Sequence, residues 1–74
     1  MDLIATLQCS DQPGIVHAMT SAVLACGGNI IENQQFTDEP TNTFVMRTRF
    51  ESRQGIDAAR KSLNEGLGKF SPTL

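Results

Sequence analysis

The sequence has few of the features that small domains use as covalent or metal supports. Its 74 residues include no Trp, no Tyr and two cysteines, and Cys9 and Cys26 do not form a CxxC pair. A zinc site needs about four ligands, and His17 is the single histidine. We therefore expect no metal and no disulfide, and we interpret both cysteines as small apolar residues of a reducing compartment.

Positive charge and long apolar runs are also scarce. Six Lys and Arg stand against eight Asp and Glu, for a net charge of -2. Nucleic acid and anionic membrane both require clustered positive charge, so neither is expected as a partner. No apolar stretch approaches the roughly 20 residues that span a bilayer, and the first residues do not resemble a signal peptide. We expect a cytoplasmic protein without a cofactor.

The first half of the chain changes from an alternating to a helical pattern. Residues 3–9 alternate, which predicts a strand with one buried face. A helix is predicted from Ile15, with Asp11 as its N-cap, Pro13 in its first turn, and Gly27 and Gly28 at its end. The apolar stripe of this helix consists of Ile15, Ala18, Met19, Ala22, Val23 and Cys26.

The second half predicts two further strands and a helix. In the strand over residues 29–37, Glu32 and Gln34 interrupt the apolar parity, which indicates a bulge or an exposed edge. A third strand is predicted over residues 44–50, and a helix over residues 54–67 whose end is frayed by Gly66 and Gly68. The residues expected to be buried in these last two elements are Phe44, Met46, Phe50, Ile56, Ala59, Leu63 and Leu67, with Phe70 just beyond.

The order strand, helix, strand, strand, helix predicts one α+β domain with a ferredoxin-like βαββα plan. Two helices should cover one face of an antiparallel or mixed sheet, and the first two strands should be parallel. The fourth strand of this fold has no counterpart, because residues 71–74 are too short and too broken to supply it. We therefore expect the first strand to be a bare edge, either because the chain is part of a longer protein or because an external strand completes the sheet.

The fold alone does not assign a function, but three of its uses fit the residues poorly. An RNA-binding version needs exposed aromatic residues on the third strand, and Phe44 and Phe50 share the parity of the buried face. A copper-chaperone version needs CxxC in the first loop. An acylphosphatase-like version needs a basic cradle there, and that loop contains Asp11 without Lys or Arg. A small-molecule regulatory module is the use that remains.

Two segments resemble an ACT domain. Residues 9–16 contain its Asp-x-x-Gly turn before the first helix, and residues 26–31 contain its Gly-x-Asn-Ile start of the second strand. Residues 29–38 and 44–47 further resemble the N-terminal ACT domain of formyltetrahydrofolate deformylases, and this similarity extends over residues 3–51. Val45 departs from the pattern, since the relatives usually have Phe there, and so does the missing fourth strand.

The resemblance implies that residues 1–74 are a regulatory ACT domain of a longer hydrolase. In that family a formyltransferase-like domain follows, and it hydrolyses 10-formyltetrahydrofolate to formate and tetrahydrofolate for purine synthesis and one-carbon balance. The catalytic residues of such enzymes lie in the second domain, so none is expected here. The alternative is a free-standing ACT protein, or the ACT module of another enzyme of amino-acid metabolism.

A small amino acid is the effector expected at the first loop, of the glycine or methionine class by family analogy. The helix N-terminus could bind its carboxylate, Asp11 its amino group and Asn29 a further polar atom, while Gly14 permits close approach. Alternatively, Asp11 only caps the helix, Gly14 relieves crowding and Asn29 occupies a turn. The predicted ligand-binding residues are Asp11, Gln12, Pro13, Gly14, Ile15, Asn29 and Ile30.

A second hypothesis is an assembly module without a ligand. Asn33 and Gln35 lie on the predicted outer strand and could join the sheet of a second copy. Arg47 is expected to face a partner subunit or to pair with an acidic residue such as Glu32. These three residues form the predicted interface of a homo-oligomer assembled through its sheet edge or its helices, and His17 is predicted to be a surface residue.

Overall fold

A computed structural model describes residues 1–74 and contains three strands, two α-helices and a short 3-10 helix. The strands are β1 (Asp2–Ser10), β2 (Gly28–Asp38) and β3 (Thr43–Ser52), and the helices are α1 (Ile15–Ala25), α2 (Ile56–Leu67) and the 3-10 helix α3 (Gly68–Phe70). The predicted α+β order of elements is therefore confirmed. Each predicted strand is lengthened by one or two residues at its ends.

The sheet has the order β1-β3-β2, with β3 in the centre. Both outer strands run antiparallel to β3, so β1 and β2 are parallel to each other without being neighbours. This is the arrangement that the split ferredoxin-like plan predicts. A loop of four residues joins β2 to β3, and Asn42 in this loop adopts a positive φ of 53°.

The two helices cover one face of the sheet, and the core lies between these layers. Phe50 is fully buried on β3, and Met19 and Leu67 meet it from the helical side. Burying each side chain of this size stabilises the fold by about 1.5–3 kcal/mol, which matters in a domain with so small a core. The buried apolar residues are Leu3, Ala5, Leu7, Ile15, Met19, Ala22, Val23, Cys26, Phe44, Met46, Phe50, Ala59, Leu63, Leu67 and Phe70.

Three expectations for α2 are wrong. The helix begins at Ile56 rather than residue 54, because Gly55 has φ 86° and ψ -179°, a conformation that other residues avoid. Ile56 consequently lies at the exposed end of the helix and is not buried, contrary to expectation. Gly66 does not fray the helix but lies where α2 meets α1, and a Cβ there would stand 3.3 Å from Ala22 Cβ. The Ser62 hydroxyl donates to the Ala22 carbonyl at 2.6 Å across the same contact.

The edge of β1 is not entirely bare, which corrects the expectation for residues 71–74. Thr73 forms a single antiparallel bridge to Thr6, and each residue donates its N–H to the other's carbonyl at 2.7 Å. The 3-10 helix brings the chain to this edge, where buried Phe70 anchors it to the core. One bridge is not a strand, so the rest of the β1 edge has no strand partner.

Strand β2 is irregular and exposed, as predicted. Its register against β3 shifts between Ile30 and Glu32, which leaves Ile31 as the extra residue of a bulge. Because directly paired residues share a face, the shift places Asn33 on the helical side beside Thr48, and Phe36 on the opposite side beside Val45. The uncovered side of the sheet is called the open face below.

Neither α1 nor α2 has both the length and the apolar character that a membrane-spanning helix requires. No group of three or more His, Cys, Asp or Glu side chains comes together in a way that could hold a metal ion.

Candidate functional site

The bend at residues 11–14 connects β1 to α1, and its glycine begins the helix. Gly14 is the N-cap with φ 91° and ψ -5°, and its carbonyl accepts the first helical hydrogen bond from the Ala18 N–H at 2.9 Å. No side chain caps the helix. The expectation that Asp11 is the N-cap is therefore wrong, and Pro13 precedes the helix rather than lying in its first turn.

Hydrogen bonds to backbone groups hold the bend in place, and the carboxylate of Asp11 takes part in none of them. The Asp11 N–H donates to the Asn42 carbonyl at 2.8 Å, which ties the bend to the β2–β3 loop, and the Gln12 amide donates to the Ser10 carbonyl at 3.2 Å. A Cβ on Gly14 would meet no atom within 4 Å. Glycine is thus required here for its positive φ and not to relieve crowding, and the space above it is open.

Cys9 lies immediately before the bend and is only half-buried, whereas Cys26 is buried as expected. Desolvation raises the pKa of the Cys9 thiol, and the negative charge of Asp11 raises it further. Cys9 is therefore less ionised at neutral pH than an ordinary cysteine, which suits the interpretation of a packing residue.

The structure does not bring the predicted ligand-binding residues together in one domain. Asn29 pairs with Glu51, level with Asp2 at the start of β1, whereas the bend follows Ser10 at the other end of that strand. Eight residues of strand separate these levels, a distance of about 26 Å. The expectation that Asn29 lies near the N-terminus of α1 is wrong, because a β2 parallel to β1 must begin at the end of the sheet where β1 begins.

The side chains of two predicted ligand-binding residues pack in the core or against it. Ile15 is buried with 2% of its surface exposed, and Ile30 is half-buried against the same cluster. Their side chains are not available to a ligand in this conformation. Asp11, Gln12, Pro13, Gly14 and Asn29 are all exposed.

Asn29 instead lies in a cleft that the sequence analysis missed. Gly27, Asn29, Glu51 and Arg53 line this polar cleft of about 360 Å³, where the α1–β2 turn meets the end of β3. Neither Glu51 nor Arg53 takes part in an ion pair, although the two residues are only two positions apart in the chain. The alternation of β3 places Glu51 on the open face, but its proximity to Asn29 follows only from the register of the strands.

The two arginines of β3 are neutralised within the domain. Arg47 contacts Glu32 at 3.3 Å, as the sequence predicted, and Arg49 forms a bidentate contact with Asp2, with Nη2 to Oδ2 at 2.9 Å. Hydrogen bonding to Asp2, together with its charge, raises the pKa of the Arg49 guanidinium. Arg47 therefore occupies the open face of the central strand and not the outer edge.

The polar residues predicted at the outer edge lie there, and one of them also supports the core. Asn33 and Gln35 are exposed on β2, and the Asn33 amide donates to Gln35 Oε1 at 3.0 Å. The hydroxyl of Thr48, which is fully buried, donates to Asn33 Oδ1 at 2.7 Å. His17 is exposed, as predicted.

Two named proteins are similar to the chain in sequence. It is 40% identical over 66 residues to a formyltetrahydrofolate deformylase of Bacillus subtilis (strain 168), covering 88% of this chain and 22% of that protein. It is 31% identical over 70 residues to the formyltetrahydrofolate deformylase of Corynebacterium sp. (strain P-1), covering 90% of this chain and 24% of that protein. The chain thus spans about a quarter of the length of the curated relatives it matches. No protein-family model matches it.

Solved structures share the fold at lower sequence identity. A formyltetrahydrofolate deformylase from Pseudomonas putida KT2440 superposes with a TM-score of 0.81 and 21% identity, over 99% of this chain and 27% of that one. The corresponding protein from Burkholderia mallei ATCC 23344 gives 0.82 and 22%, over 97% and 26%. By sequence over most of its length and by its ferredoxin-like fold, the chain belongs with the formyltetrahydrofolate deformylases, of which it matches about a quarter.

Proposed function

We propose that this chain is a non-catalytic domain of a formyltetrahydrofolate deformylase. We further propose that this domain binds a small amino acid between two copies of itself. The parent enzyme would hydrolyse 10-formyltetrahydrofolate to formate and tetrahydrofolate in a separate domain. Support for the parent comes from the two named relatives and from the fold. Support for the binding role comes from the placement of two polar regions at opposite ends of one sheet.

The observation that carries the proposal is the separation of the bend from Asn29, together with the free edge of β2. An exposed edge strand is a template for pairing with another chain. If β2 pairs antiparallel with β2 of a second copy about a two-fold axis, the end of one domain that holds the bend lies beside the partner's Asn29 end. The bend and the partner's Asn29, which mark opposite ends of one domain, would then lie at the same end of the joined sheet, three strand positions apart.

Helix α1 offers a second surface at the same edge. The side of α1 that contains Ala22 faces α2. Ala22 lies against Gly66, and its carbonyl accepts a hydrogen bond from the Ser62 hydroxyl. The helical period therefore turns Val16, Thr20 and Leu24 away from α2, toward the β2 side of the domain. Leu24 is 75% exposed and Val16 38% exposed, so the flank presents apolar surface beside a polar strand edge. Such a combination favours assembly with a second copy.

The chemistry of the bend suits one half of an amino-acid site. The exposed Asp11 carboxylate can accept from an ammonium group, and the first N–H groups of α1 can donate to a carboxylate. Gly14 leaves the space above them open. By family analogy glycine and methionine are the first ligands to test.

The dimer is tested by sedimentation equilibrium of the chain and of a matched pair of variants. We expect a dimer that Leu24→Glu weakens by about 10-fold or more, because two charges would be desolvated on the apolar flank. Asn64→Glu adds the same charge on the exposed side of α2 and should leave association unchanged. A chain that stays monomeric at high concentration, or equal effects of the two variants, would contradict this interface.

The ligand is tested by titration calorimetry with glycine and with methionine. Asp11→Asn removes the bend's charge without a change of shape and should weaken binding by about 10-fold. Glu39→Gln, in the β2–β3 loop, is the matched control and should bind like the unmodified chain. If the dimer gives no heat with either amino acid, the sensing role is rejected. An assembly module without a ligand is then the better description, supported by the unpaired β2 edge.

A further inference from the structure

We propose that the open face of the sheet is the docking surface for the catalytic domain of the same polypeptide. This docking surface rests on the parent enzyme proposed above, but not on the dimer or on an amino-acid ligand. The open face consists of every second residue of the three strands, and its central row is Thr43, Val45, Arg47, Arg49 and Glu51 of β3. It is the side of the sheet that the two helices leave uncovered.

The open face contains the one aromatic side chain that the core does not use. The chain has four phenylalanines and no other aromatic residue, and three of the four are buried. Phe36 is 62% exposed and pairs with half-buried Val45, and Ile4, on the same side of β1, is 39% exposed. Aromatic side chains are enriched where proteins make contact, so the position of Phe36 favours a partner on this face.

The charges in the middle of the open face are already neutralised within the domain. Arg47 is paired with Glu32 at 3.3 Å, and Arg49 with Asp2 at 2.9 Å. These are the two ion pairs of the domain, and the charged side chains on the exposed side of α2 form none. Covering a paired ion costs less than covering an unpaired one. The open face is therefore better suited than the helical side to contact a neutral, partly apolar surface.

The size of the open face suits a contact between two domains of one chain. The nine residues of β1 correspond to a length of about 30 Å, and three strands to a width of about 14 Å. Covering this area would remove about 800 Å² from water in total, and contacts between domains typically remove roughly 600–1,500 Å². A mixed surface of this kind binds weakly between free molecules, but a short connection holds the two domains at an effective concentration of about 1 mM.

The last residues of the chain lie at the rim of the open face. Thr73 is joined to Thr6 by two backbone hydrogen bonds of 2.7 Å, and Thr6 belongs to the open face. The chain matches only 22% and 24% of the two named relatives, so most of such a parent lies outside residues 1–74. A catalytic domain that follows these residues would be attached at the β1 edge, opposite the β2 edge that the proposed dimer uses.

The test is hydroxyl-radical footprinting of the full-length enzyme and of the 74-residue chain, read by mass spectrometry. Ile4 on the open face and Ile56 at the start of α2 are 39% and 37% exposed, so they are matched reporters. Docking should slow the oxidation of Ile4 about 5-fold or more in the full-length enzyme, because the contact excludes water, and should leave Ile56 unchanged. The proposed dimer does not cover Ile4, which lies on β1 and away from the β2 edge.

Three variants of the full-length enzyme identify what covers Ile4. Phe36→Glu places an unpaired charge in the contact and should return the oxidation of Ile4 to within about 2-fold of its rate in the 74-residue chain. Asn64→Glu adds the same charge on the exposed side of α2 and should preserve the protection. Leu24→Glu, which weakens the proposed dimer, should preserve it as well, because the docked domain belongs to the same chain. Protection that is lost with Leu24→Glu would assign the open face to the partner subunit and overturn the proposal.

The remaining outcomes separate the docking surface from the function on which it rests. If Ile4 and Ile56 are oxidised at similar rates in the full-length enzyme, the docking surface is rejected and the parent enzyme stands. Protection of Ile4 that increases with the concentration of the 74-residue chain would assign the face to a second copy and would also overturn the proposal. A gene that encodes no further domain after residues 1–74 would reject the parent enzyme, and the docking surface with it.

Discussion

Strands β1 and β2 flank the same central strand and use their side chains in opposite ways. In β1, Leu3, Ala5 and Leu7 are buried beneath the helices, and the edge is partly closed by Thr73. In β2 no residue of eleven is buried, and only Gly28 and Ile30 are even half-buried. Both strands nevertheless pair with β3 from end to end, apart from the bulged Ile31 in β2.

The difference shows that a strand of this sheet can pair with β3 through its backbone whether or not its side chains pack in the core. β1 is held by its side chains, which supply much of the core, whereas β2 is held by its hydrogen bonds to β3. A strand that contributes so little to the core is free to present polar side chains outward. This is the edge on which the proposed dimer and its ligand site depend, and three substitutions measure how sharp the division is.

The largest effect is expected from truncating a buried residue of β1. Leu7→Ala should lower the free energy of unfolding by about 2–5 kcal/mol, because Leu7 is 4% exposed and packs within the core. Ile31→Ala removes a large apolar side chain from β2, where it is 48% exposed, and should cost far less. Urea denaturation followed by circular dichroism measures both, and equal losses would abolish the contrast between the strands.

An intermediate effect is expected at the first residue of β2, the one place where this strand is crowded. Gly28→Ala should destabilise the domain by about 1–3 kcal/mol. A Cβ there would stand 2.8 Å from Val23 Cγ1 and 2.9 Å from the Val23 carbonyl oxygen, and the backbone cannot easily yield. Gly68→Ala is the control, because a Cβ at that position meets no atom within 4 Å. A neutral Gly28→Ala would show that α1 is free to shift away from β2.

The smallest of the three effects concerns the only β2 side chain that serves a fully buried group. Asn33→Ala should cost about 1–2 kcal/mol, because it removes the acceptor of the buried Thr48 hydroxyl. Thr48→Val in the same chain should recover most of that loss, since no unpaired hydroxyl then remains. Thermal and urea unfolding of the four chains completes a double-mutant cycle. Strictly additive losses would show that the two side chains are not coupled.

The fold could be predicted because its buried residues recur along the sequence at the spacing of a strand or of a helix. Alternation in β1 and a 3.6-residue stripe in α1 identify Leu3, Leu7, Met19 and Val23 as buried, and the structure buries all four. The start of α1 could not be assigned from residue types alone. Asp11 and Gly14 both suit an N-cap, and the choice depends on the positive φ that the backbone adopts at Gly14.

The candidate site was predictable only in part. That Asn29 lies far from the bend follows from the parallel arrangement of β1 and β2, so this conclusion was available from the order of elements. The cleft was not, because the meeting of Asn29 with Glu51 depends on a register that shifts at the bulge. A pattern of residue types does not specify the position of such a shift.

The bulge at Ile31 determines which side of the sheet each later residue of β2 faces. Deletion of one residue there would exchange the two sides of the strand, so that Gln34 and Phe36 would move beneath α1 while Asn33 and Gln35 turned outward. The Phe36 ring would become more buried, the Thr48 hydroxyl would lose its acceptor, and Glu32 would no longer reach Arg47. A single inserted residue thus determines which chemistry each side of this edge offers to a neighbouring molecule.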